Sequence, residues 1–212
     1  MEVTHFGHSC VLLDTGAARL LIDPGNFSAD FEGLTGIDAV LVTHQHPDHL
    51  DPERLPALLK ANPQARLVVD SGTAGQLGAM KIDVEPEIVE PGTAVQIGGA
   101  RVEVLGGRHA EIHPDIPVIP NNAYLVDGTH LHPGDALDTV PGDVDVLFLP
   151  AAAPWSKISE TIEYLRAVAP GTAVPIHQAI LANPAVFYGH FDRLGPERTT
   201  FRPLDPGVAV SL

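Results

Sequence analysis

The segment VLVTHQHPDHLD, residues 40–51, places His44, His46, Asp48 and His49 within six positions. These types are costly to crowd without a common partner. Imidazoles side by side repel once protonated, and a carboxylate loses hydration when buried. A divalent cation removes the conflict by turning the groups into ligands. One ion needs roughly four ligands. Adjacent Asp48 and His49, however, do not converge easily with His44 and His46 on one small sphere, whereas two ions side by side relieve that geometry. Further ligands are available in His109 of LGGRHAEIH, Asp135 of HLHPGDAL and His177 of AVPIH. Each follows an apolar run, as His44 does. His113 lies four residues beyond His109 and competes with it for the same role. His109 is preferred because it follows its strand at once, whereas His113 opens a segment with prolines at 114, 117 and 120.

The elements that must hold these residues are legible as short strands and amphipathic helices. VTHFG (3–7), CVLLD (10–14) and RLLIDP (19–24) read as β-strands between turns, and AVLVTH (39–44) as a buried strand. Asp51 and Pro52 then suit the start of a helix ended by Asn62-Pro63, with Leu55, Leu58 and Leu59 on one face. RLVVD (66–70) is another strand, followed by a short helix near 73–80. Residues 87–105 read as hairpin material around Gly98-Gly99. NAYLV, THLH, DVDVLFLP and TAVPIH are further strands. SKISETIEYLRAVAP is the strongest helix, with Ile158, Ile162, Leu165 and Val168 on one face. A weaker helix near 184–194 and two closing strands complete the chain. The order divides into two similar halves with no linker, so residues 1–212 are expected to form one domain of two mixed sheets packed face to face, with helices outside.

The chain has 212 residues and a formal net charge of −15, with 27 acidic against 12 basic side chains. That field disfavours nucleic acid as a partner. No run approaches the roughly 18 apolar residues of a membrane span, no basic amphipathic helix suggests a membrane surface, and no leader pattern stands at the start. With the single Cys10 there is no internal disulfide, so a cytoplasmic protein is expected. Dinucleotide-binding, Walker A and serine-elbow motifs are absent.

THQHPDH matches the H-x-H-x-D-H signature of the metallo-β-lactamase superfamily, and His109, the Asp135 of PGD and the His177 of PIHQ fall in the order of its later ligand motifs. The opening GHSCVLLDTGAARLLIDPG resembles small metal-dependent hydrolases related to L-ascorbate-6-phosphate lactonase. The resemblance spans nearly the whole chain and implies a four-layer αββα sandwich with a dinuclear site. One ion would be held by His44, His46 and His109, the other by Asp48, His49 and His177, with Asp135 bridging. Asp23 would hydrogen-bond a ligand histidine, and His8 would line the pocket.

Seven nitrogen and oxygen ligands without a thiolate suit two zinc ions, and also manganese or iron. Such a pair, about 3.5–4 Å apart, would share a hydroxide whose parent water is acidified from 15.7 toward about 7. That hydroxide would attack an ester-like bond of a small molecule: a lactone, thioester or phosphodiester. Asp48 would orient the nucleophile and carry a proton, and His8 or His113 would contact the substrate. Two alternatives remain at this stage, a di-iron redox protein of the same fold and a non-catalytic binding protein. Trp155, in AAAPWSK, either edges the pocket or, the preferred reading, packs in the core or as a staple on the following helix. His5, His130, His132 and His190 receive no role.

Overall fold

A computed structural model describes residues 1–212. The strands are β1 (Glu2–His5), β2 (Val11–Asp14), β3 (Arg19–Ile22), β4 (Ala39–Leu41), β5 (Arg66–Val69), β6 (Glu87–Ile88), β7 (Ala94–Ile97), β8 (Ala100–Gly106), β9 (Asn122–Val126), β10 (His130–His132), β11 (Val146–Pro150), β12 (Thr172–Ile176), β13 (Thr200–Phe201) and β14 (Ala209–Ser211). The helices are α1 (Leu55–Ala61), α2 (Ser71–Ala79), α3 (Ile158–Val168) and α4 (Ala185–Leu194). One sheet runs β14-β1-β2-β3-β4-β5-β6, the other β13-β12-β11-β10-β9-β8-β7. Each changes from antiparallel to parallel pairing midway, after β3 in one sheet and after β10 in the other. The two halves of the chain therefore build the same sheet twice.

Strand alternation explains the layering. Val11, Leu13, Leu20 and Ile22 face Val102, Val104, Tyr124 and Phe148 of the opposite sheet in the central core. Their neighbours Leu12 and Leu21 point outward against Leu55 and Leu58 of α1 and Leu77 of α2. On the other side, Leu147 and Leu149 pack on Ile162, Leu165 and Val168 of α3 and Phe191 of α4. Strands buried on both faces read as continuous apolar runs, as AVLV and VLFL do. Each leucine or isoleucine so buried contributes about 1.5–3 kcal/mol. The architecture is the expected αββα sandwich. No helix is long and apolar enough to cross a membrane.

Three boundaries differ from the sequence expectation. The Asp51 carboxylate does accept from the N–H groups of Glu53 and Arg54, but it closes a turn, and α1 starts only at Leu55. The helix expected near 73–80 begins at Ser71, because the Asp70 carboxylate accepts from Gly72 and Thr73 N–H and caps it. Glu87 and Ile88 leave the hairpin and pair with β5 in the first sheet, so only 94–106 forms the hairpin.

The sheets are also tied together just beyond β4. Tyr124 donates to the Val42 carbonyl at 2.8 Å, and the Asn122 N–H reaches the Thr43 carbonyl at 2.8 Å. At the other end, burial first and the N-terminal ammonium second push His130 down to about 4. The unfolded chain, with an ordinary histidine near 6.5, then binds more protons than the folded one between these values. Stability should therefore fall as pH drops from about 6.5 to about 4. His130→Gln should make the thermal midpoint less steep over that window, and an unchanged slope would contradict it.

Candidate metal centre

Every sequence-selected residue except His113 arrives at one rim. Asp23 follows β3. His44, His46, Asp48 and His49 follow β4. His109, Asp135 and His177 follow β8, β10 and β12, and His8 lies in the β1–β2 turn. The carboxyl ends of parallel strands are where loops from neighbouring strands diverge and leave a crevice. His8, Asp23 and His177 hold left-handed backbone at φ 48°, 52° and 63°. Such strain, about 1–3 kcal/mol per residue, persists where surrounding structure imposes it. The chain also passes very close to itself here. A Cβ on Gly25 would sit 1.8 Å from the Asp48 carbonyl oxygen, and one on Gly134 would sit 2.2 Å from the Asn121 side chain, so both positions need glycine.

Two clusters of ligand atoms result. His44, His46, His109 and Asp135 form one, and His8, Asp48, His49 and His177 the other, with the atoms of each cluster within 4.8 Å of one another. Asp135 faces both. Its Oδ2 is 3.3 Å from His109 Nε2 and 4.0 Å from His44 Nε2. Its Oδ1 is 3.1 Å from His49 Nε2 and 3.3 Å from His177 Nε2. Two ligands of a tetrahedral zinc ion, each at 2.0–2.1 Å, stand about 3.3 Å apart. The observed separations are of that size.

The tautomers also agree. His109 Nδ1 lies 2.6 Å from the Ala110 carbonyl, His177 Nδ1 2.7 Å from the Ala152 carbonyl, and His49 Nδ1 2.6 Å from Asp23 Oδ2. Each partner is an acceptor, so each Nδ1 carries the proton. Thr43 spends its single hydroxyl proton on Asp23 Oδ2 at 2.7 Å, so at 3.0 Å it accepts from His44 Nδ1. All four rings therefore turn Nε2 into the cluster, and loss of any proton there gives the form a metal ligand needs. The Nε2 atoms of His49, His109 and His177 and Oδ1 of Asp135 are buried without a hydrogen-bond partner. Each such group costs about 1–3 kcal/mol when left unpaired. Four buried, unpartnered nitrogen and oxygen atoms converging on two points fit divalent cations, which would displace any proton held there.

The electrostatics point the same way. Burial alone would raise Asp135 and Asp48. The surrounding imidazoles outweigh it and hold both carboxyls below the usual range, His177 and His49 chiefly for Asp135, His177 and His8 for Asp48. Burial lowers His44. His177 would also be lowered by burial, but the Asp135 carboxylate carries it up to about 9. The two carboxylates thus collect positive charge, and protons are what they collect in the absence of a cation.

His8 belongs to the second cluster itself. Its Nε2 donates to Asp48 Oδ2 at 3.0 Å, and its carbonyl accepts from His177 N–H and from His5 Nε2. The His113 ring lies outside both clusters, about 61% exposed, with Nδ1 accepting from the Asp115 N–H. Three residues beside the centre, Thr43, His132 and His5, escaped the sequence reading, and for Trp155 the less favoured of its readings holds. Thr43 links Asp23 to His44. His132, fully buried, donates from Nε2 to the Ser9 carbonyl and lies 3.9 Å from Asp23. His5 holds the His8 backbone. The Trp155 indole N–H donates to Asp135 Oδ2 at 2.8 Å, so this ring edges the centre, and neither the core nor α3 claims it. Thr43 directly before His44 was the one signal available.

Asp23 is wholly buried and accepts three hydrogen bonds, from Thr43 N–H, Thr43 Oγ1 and His49 Nδ1. An asparagine there would set an amide donor against a donor whichever way it turned. Asp23→Asn should therefore weaken metal binding by about 10–100-fold, the usual cost of losing a ligand's orienting partner. Metal titration compared with the unaltered protein checks this, and equal dissociation constants would contradict the role.

The chain matches the beta-lactamase superfamily domain over residues 2–177, and it belongs to the metallo-β-lactamase superfamily. It is 53% identical over 220 residues to Protein Rv0786c of Mycobacterium tuberculosis, with all of both chains covered. It is 32% identical over 141 residues to a UPF0173 metal-dependent hydrolase of Chelativorans sp., covering 64% of this chain and 55% of that one. A crystal structure from Parabacteroides distasonis, described as a metal-dependent hydrolase, superposes with a TM-score of 0.76 at 21% identity, over 95% of this chain and 91% of the other.

Proposed function

We propose that the protein is a metal-dependent hydrolase acting on an ester-like bond of a small molecule. The observation that carries this reading is the convergence of four buried, unpartnered nitrogen and oxygen atoms, with the two oxygens of Asp135 divided between two clusters. The residues that would hold one ion are His44, His46 and His109. Asp48, His49 and His177 would hold the other, and Asp135 would serve both. The donor set is nitrogen and oxygen only, which suits zinc and tolerates manganese or iron. When bound, the two ions would acidify water and polarise a carbonyl or phosphoryl group.

The chain's own residues supply orientation and proton handling. Asp48 is partly exposed, and its carboxylate would orient an attacking water and carry its proton. The His8 N–H holds that carboxylate in one rotamer. Burial, only partly offset by Asp48, pushes His8 down to about 4, so it is neutral near pH 7 and donates a hydrogen bond without adding charge. Asp23 fixes the ring of His49, and Thr43, held by Asp23, fixes that of His44. The Trp155 N–H holds Asp135 Oδ2.

The resemblance to the ascorbate-phosphate lactonase branch makes lactones the first substrates to try, with thioesters and phosphodiesters beside them. Zinc- or manganese-loaded protein is expected to hydrolyse at least one of the three classes, to lose that activity with chelator and to regain it with metal. Complete inertness across the three with metal demonstrably bound would overturn the hydrolytic reading.

A further inference from the structure

A groove of about 670 Å³ opens beside the centre, between residues 108–111, residues 136–138 and the exposed side of α3. Its walls toward the metal ligands are the ring of His109 and the indole of Trp155, with centroids 6.0 Å apart. Both side chains approach Asp135 Oδ2. The groove therefore begins where the reacting bond would lie. Its lining is largely apolar, with Val118, Ala136, Leu137, Tyr164 and Ala167. Exposed apolar side chains also stand beside other residues of the centre. Phe27, 51% exposed, meets the His8 ring edge-on at 5.1 Å. Ile116, 47% exposed, and Val118 line a second small cleft together with His46 and His109. Exposed apolar groups gathered at one place mark a contact with something apolar.

Charge narrows what that is. Glu111, Asp138, Glu160 and Glu163 stand on the groove, against the single guanidinium of Arg108. Lys157 and Arg166 pair with Glu160 and Glu163 at 3.2 and 2.8 Å, but neither lines the groove. Glu111 and Asp138 have no basic partner. The rest of the chain adds to the same sign, at −15 overall. A negative cleft with apolar walls attracts cations and repels anions, and an indole face adds attraction for an ammonium group.

We infer that this groove binds the part of the substrate remote from the cleaved bond, and that this part is an apolar chain or ring, uncharged or cationic but not anionic. The inference rests on the hydrolytic reading for the word substrate, but the groove can be tested without turnover. Trp155 is the only tryptophan, so its fluorescence reports on the groove directly. Zinc-reconstituted protein would be titrated at low salt with octyltrimethylammonium and with octanesulfonate, which share a tail and differ in charge. The sulfonate is chosen as a weak metal ligand. Partly screened surface charges support a preference of about tenfold.

The expected result is saturable binding of the ammonium probe, with the sulfonate bound at least about tenfold more weakly. The double variant Glu111→Gln with Asp138→Asn should narrow that ratio, and Ala167→Leu should weaken both probes. Binding of the sulfonate as tightly as the ammonium, no saturable response to either, or a ratio unmoved in the double variant would overturn the inference. Inertness toward all esters with this binding pattern intact would count against the hydrolytic reading alone. Hydrolysis with no binding pattern would count against the groove alone.

Discussion

Asp135→Ala should empty both halves of the centre at once. The wild-type carboxylate has one oxygen at 3.1–3.3 Å from His49 and His177 and the other at 3.3 Å from His109. Removing it takes a candidate ligand from each cluster and leaves His109 with no carboxylate beside it, and the Nε2 atoms of His49 and His177 with Asp48 alone. Losing one partner from such a buried charged set costs about 3–5 kcal/mol, or roughly a hundred- to several-thousandfold in binding. His177→Ala removes a ligand from one cluster only, so the His44–His46–His109 group should still hold its ion. Elemental analysis of the two variants beside the unaltered protein separates them: no metal retained by Asp135→Ala, one ion by His177→Ala. Full metal content in Asp135→Ala would show that the carboxylate serves neither ion.

The second large effect distinguishes His109 from His113. His109 is 4% exposed, its Nδ1–H is fixed to the Ala110 carbonyl, and its Nε2 has no partner other than the cluster. His109→Ala should lose the ion of the first cluster and with it almost all activity. His113 is exposed and takes part in a local turn with Asp115. His113→Ala should keep both ions, with at most a change in turnover or substrate preference. Loss of metal from His113→Ala alone would exchange the two roles, and would require the 110–120 segment to move by more than a side-chain rotation.

How much of this was legible in the sequence follows from where each residue stands. His44, His109, Asp135 and His177 each follow a strand within three residues, so the pattern that makes the strand also points to the candidate ligand. The sandwich was legible because continuous apolar runs such as VLL and LLI mark strands buried on both faces, although such a run does not tell which side chains face the other sheet. What stayed hidden depends on contacts between segments far apart in sequence. His8 reaches Asp48 across 40 residues, and it does so through a left-handed turn that carries no local mark. The Trp155 N–H finds Asp135 only because the loop after β11 folds back over β10. Its neighbours Ala152 and Pro154 fit a core or a helix entry equally well. The start of α1 was misplaced because the Asp51 carboxylate caps a turn as readily as a helix.

The central claim is that two adjoining cation sites share Asp135. The most direct test is the number of metal ions per chain, measured by elemental analysis after reconstitution with zinc or manganese and removal of the excess. The account predicts two per chain, both removable by chelator. A chain that keeps all eight clustered side chains yet binds none, or saturates at one, would contradict it.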